Sequence, residues 1–63
     1  MLNYQEYAIL IVEDSLTQSL ELQSILENYG FDAHVVHNGQ EALKFLQNQK
    51  PDLIISDIVM PSM

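Results

Sequence analysis

Two short apolar runs that end in acidic residues constrain this chain most. Residues 7–12 read YAILIV and stop at Glu13-Asp14-Ser15. Residues 53–55 read LII and continue through Ser56 to Asp57. Runs of this length, rich in β-branched side chains, fit strands covered on both faces, as in a parallel sheet. Parallel strands need long crossovers between them, and helices usually supply these.

The intervening sequence supplies two. Ser15 and Gln18 have the spacing of a capping box, and Gly30 sits where a helix C-terminal cap belongs. Between them, Leu16, Leu20, Leu22, Ile25, Leu26 and Tyr29 suggest one apolar stripe, so a helix is expected over 16–29 with that stripe in the core. Residues 31–37 read FDAHVVH, in which Phe31, Ala33 and Val35 alternate with Asp32 and His34. That is the pattern of a strand with one wet side, which suits a sheet edge. Asn38 and Glu41 again have N-cap spacing, and a shorter helix follows over 39–48, with Ala42, Leu43 and Leu46 inward and Phe45 partly off that face. Lys50-Pro51-Asp52 ends it, because the residue before a proline avoids helical angles. The order β-α-β-α-β predicts an α/β fold with a parallel sheet and right-handed crossovers.

Charge and length limit the functions open to such a chain. Nine acidic residues face two lysines, for a formal net charge of −7 over 63 residues. Direct nucleic-acid binding is not expected, because phosphate neutralisation needs clustered Lys and Arg. An anionic membrane surface is disfavoured by the same sign, and no apolar run reaches spanning length. A cation, or a partner with a basic face, is the natural complement. Without cysteine, disulfides and Cys/His zinc motifs are ruled out. A chain this short buries a small core, so marginal stability and help from a partner chain are expected. The first seven residues carry no basic segment like that of a signal peptide, and a cytoplasmic location is the expectation.

The acidic strand ends carry the chemistry. In open α/β sheets, ligands sit outside the carboxyl ends of the strands, where strand order reverses. If the first and third strands are neighbours, Glu13, Asp14 and Asp57 meet there. Bound Mg²⁺ would relieve their mutual repulsion and could neutralise the oxygens of a phosphoryl group. Asp57 is the best placed nucleophile, since carboxylates form aspartyl phosphates. From the residues alone, Glu13-Asp14 reads about as well as a solvated pair favoured by the helix dipole. His34 and His37, three apart on a strand, point to opposite faces and read as surface residues rather than metal ligands.

The segments ILIVEDS, NGQEAL, KPDLIISD and IVMPSM, in this order and spacing, resemble the N-terminal half of a bacterial response-regulator receiver domain, the phospho-accepting module of two-component signalling. The resemblance implies a truncated flavodoxin-like sheet with local strand order 2-1-3, spanning residues 1–63 as a partial domain. It implies Asp57 as phosphoacceptor, a sensor histidine kinase or phosphotransfer protein as partner, and no enzyme activity of its own. It further implies Mg²⁺ held by Asp14 directly, by Glu13 through water, by Asp57, and by the backbone carbonyl of Val59. Met60 and Pro61 match the loop that follows the phosphorylation site. Family members continue with two strands and three helices, which supply a Ser or Thr and a Lys to the site. The 63 residues alone are therefore expected to phosphorylate weakly or not at all, and to associate as homo-oligomers through an exposed third strand. The alternative function is a non-catalytic half-domain that assembles through that strand. A phosphoaspartyl hydrolase fits less well, because it needs an aspartate where Val59 stands.

Overall fold

A computed structural model describes residues 7–56. The chain runs β1 (Ala8–Val12), α1 (Leu16–Asn28), β2 (Asp32–Val36), α2 (Gly39–Asn48), β3 (Leu53–Ser56). All pairing is parallel and the strand order is β2-β1-β3, so the expected α/β topology is the one observed. This is the arrangement of the first three strands of a flavodoxin-like sheet. Val12 pairs with Val36 on one side and with Ser56 on the other.

β1 is apolar along its length because both of its faces are covered. Ile9 and Ile11 join Ala33, and Leu22, Leu26, Phe31, Val35 and Ile55 pack around them on the α1 side. Leu10 and Val12 join Val36 beneath Ala42 and Phe45 of α2.

Both helices begin and end as their sequences dictate. The Gln18 amide donates to Ser15 Oγ at 3.3 Å, and the Glu41 amide donates to Asn38 Oδ1 at 2.8 Å. Gly30 has φ 92°, and the Gly30 and Phe31 amides donate to the carbonyls of Glu27 and Leu26. That is the left-handed glycine cap with its paired closing bonds.

The inward helix faces differ from the expected ones. On α1 the sheet side carries Ser19, which is fully buried, with Leu22 and Leu26. Leu16, Leu20, Ile25 and Tyr29 are exposed. At 100° per residue, Leu16 and Leu20 fall on one flank of the Ser19–Leu22–Leu26 stripe and Ile25 on the other. The Ser19 hydroxyl donates to the Leu16 carbonyl at 2.8 Å, which lets a polar side chain sit at the closest approach of helix and sheet. On α2, Ala42 and Phe45 face the sheet while Leu43 is 59% exposed, reversing the expected roles of Leu43 and Phe45.

Candidate functional site

The carboxyl end of β1 carries the acidic pair. Glu13 is buried at 7% exposure and is held at three points. Its amide donates to the Val36 carbonyl at 3.0 Å, one rung past the strand. Its carboxylate Oε1 accepts the Ser15 amide at 3.0 Å. Its own carbonyl lies 3.2 Å from Nδ1 of His37. Asp14, next in the chain, is exposed, and its carboxylate takes no hydrogen bond among the described residues. Both residues directly precede the N-cap of α1, where the helix dipole favours negative charge.

The two carboxylates are hard oxygen donors with no competing nitrogen or sulfur ligand in the pair, a donor chemistry that suits Mg²⁺. Asp14 has the free carboxylate, whereas Glu13 spends one oxygen on the Ser15 amide. Among the described residues no cluster of three metal-ligating side chains forms. Asp57 and Val59, the remaining members of the expected set, lie outside the described residues, as do Met60 and Pro61. β3 is seen as far as Ser56, which pairs with Val12. The residues covalently before Glu13 and before Asp57 are thus partners in one ladder.

Neither histidine is an idle surface group. Nε2 of His34 lies 3.0 Å from Asp32 Oδ2, and its ring tilts against Phe45 at a centroid distance of 5.2 Å. The ring of His37 reaches the Glu13 carbonyl. The sequence reading ran the strand through His37 and applied alternation there, but β2 ends at Val36, so alternation did not reveal the contact of His37 with Glu13. The register would have found it, since continuing Val12↔Val36 by one position sets His37 beside Glu13.

Residues 9–63 match the response regulator receiver domain family, and the chain belongs to that family. It is a receiver domain sequence of the two-component signalling type. It is 38% identical over 55 residues to protein PilH of Pseudomonas aeruginosa, covering 87% of this chain and 46% of that protein. It is 40% identical over 55 residues to the alkaline phosphatase synthesis transcriptional regulatory protein PhoP of Bacillus subtilis, covering 87% of this chain and 23% of that one. Among solved structures, the signal receiver domain of a signal transduction histidine kinase from Syntrophus aciditrophicus superposes with a TM-score of 0.82 at 54% identity. That match covers 90% of this chain and 43% of the other. The chain therefore spans less than half the length of each of these proteins.

Proposed function

We propose that residues 1–63 form the first half of a receiver domain in which Asp57 accepts a phosphoryl group. The donor is the phosphohistidine of a sensor histidine kinase or phosphotransfer protein. One observation carries this reading. Ser56, the residue before Asp57, pairs with Val12, the residue before Glu13, across adjacent parallel strands. Ligands in open α/β sheets sit beyond such strand ends.

In the transfer, a carboxylate oxygen of Asp57 attacks phosphorus and forms the P–O bond of an acyl phosphate. The P–N bond breaks, and its electron pair leaves on the donor imidazole. Mg²⁺, when bound, neutralises charge on the phosphoryl oxygens. Asp14, Asp57 and the Val59 carbonyl would ligate it, with Glu13 acting through water. The module is a phosphoacceptor rather than an enzyme, and it works in the cytoplasm. No helix among the described residues is long and apolar enough to cross a membrane.

The test is intact-mass spectrometry of the full-length protein after incubation with Mg²⁺ and a small acyl phosphate or phosphoramidate. A single phosphoryl adduct is expected, lost in Asp57→Asn and much weaker in residues 1–63 alone. An adduct that persists in Asp57→Asn overturns the assignment. The self-assembling half-domain, as a function, has only the open edge of β3 in its favour.

A further inference from the structure

The β1–β2 ladder ends in a substitution. Its bonds run from the Asp32 amide to the Tyr7 carbonyl at one end to the Glu13 amide and Val36 carbonyl at the other. In a parallel ladder the next rung would run from the Asn38 amide to the Glu13 carbonyl. That rung is not made among the described residues. Asn38 has turned away as the N-cap of α2, with its side chain on the Glu41 amide. The His37 imidazole bonds the Glu13 carbonyl instead, through Nδ1 at 3.2 Å. The His37 amide donates to Glu41 Oε1 at 2.8 Å, which ties the same residue to the first turn of α2.

We propose that His37 is a positioning residue for the acidic pair, holding the Glu13 carbonyl, and with it the turn that presents Glu13 and Asp14, against the start of α2. The inference rests on the reading of that pair as the Mg²⁺ site. A carbonyl oxygen only accepts, so the neutral imidazole must carry its proton on Nδ1. This is the less favoured tautomer of free histidine, which makes it a distinctive signature. The Glu13 carboxylate is already engaged by the Ser15 amide, so the carbonyl is a second, separate anchor for the turn. His37 is itself exposed, so its ring adds little to the core.

Side-chain geometry supplies a sharp test. Asn Nδ2 stands at the same bond distance from the backbone as His Nδ1, whereas Gln Nε2 stands one bond further out. In the full-length protein, His37→Ala and His37→Gln should weaken Mg²⁺ binding by about tenfold, as loss of an outer-shell partner does. His37→Asn should restore it to within about twofold of wild type, as a retained outer-shell bond requires. The three variants should melt alike, because the ring is exposed. Independently, ¹⁵N NMR of the wild-type imidazole in its neutral form should show Nδ1 protonated, whether or not any variant folds. An Nε2-protonated ring, an unchanged affinity in His37→Ala, or equal affinities for the Asn and Gln variants overturns the role of His37. A wild-type protein that binds no Mg²⁺ overturns the reading of the site itself, and the proposal with it.

Discussion

Asp14 and Glu13 are adjacent acids with different environments. Asp14 is exposed and its carboxylate is free among the described residues, so Asp14→Asn should abolish most Mg²⁺ binding while leaving the melting temperature nearly unchanged, as isothermal titration and thermal melts would check. Glu13 is buried, and its carboxylate closes the turn on the Ser15 amide. Glu13→Ala should therefore lower stability by about 1–3 kcal/mol in chemical denaturation, the usual effect of stranding a partner of a charged hydrogen bond. The acidic pair at the end of β1 was legible in the sequence, since acids at the end of an apolar run are a local signal. The division of labour between them was not, because it depends on which oxygen meets the Ser15 amide. His37 is the surface residue expected, but its contact with the Glu13 carbonyl was not legible, being set by strand register rather than by its neighbours in the chain.

The elements themselves were legible because their boundaries are written in caps. Ser15, Gly30 and Asn38 fix helix ends through bonds to residues within four positions, and α2 runs over the expected 39–48. Which face of each helix turns inward was harder, because an excess of leucine leaves several stripes that look equally apolar. The structure selects Ser19, Leu22 and Leu26 on α1, and Ala42 and Phe45 on α2. Phe45→Ala should cost about 2 kcal/mol, less than a fully buried phenylalanine would, because its ring is only partly covered. Leu43→Ala should cost under about 0.5 kcal/mol, as exposed positions do. Equal losses at the two positions in urea titrations would contradict this assignment of faces.

In the molecule as a whole, β1 is paired on both sides, while the outer edge of β3 has no strand against it among the described residues. Leu53 and Ile54 are exposed beside that edge. An uncovered apolar edge is a template for further pairing. Residues 1–63 expressed alone should therefore associate with rising concentration in analytical ultracentrifugation, and a stable folded monomer at micromolar concentration would count against this. The β-α-β-α-β alternation conveyed the parallel sheet but not its strand order, which came from the family resemblance; the observed order makes β1 and β3 neighbours, with Val12 paired to Ser56. The most direct measurement of the resulting claim, that one cation site draws on both strand ends, is a double-mutant cycle on Mg²⁺ affinity in the full-length protein. Asp14→Asn and Asp57→Asn should each weaken binding about tenfold or more, and the double variant should be little worse than either, because groups sharing one ligand couple strongly. Strictly additive losses, or an Asp57→Asn variant that binds Mg²⁺ as wild type does, would contradict it.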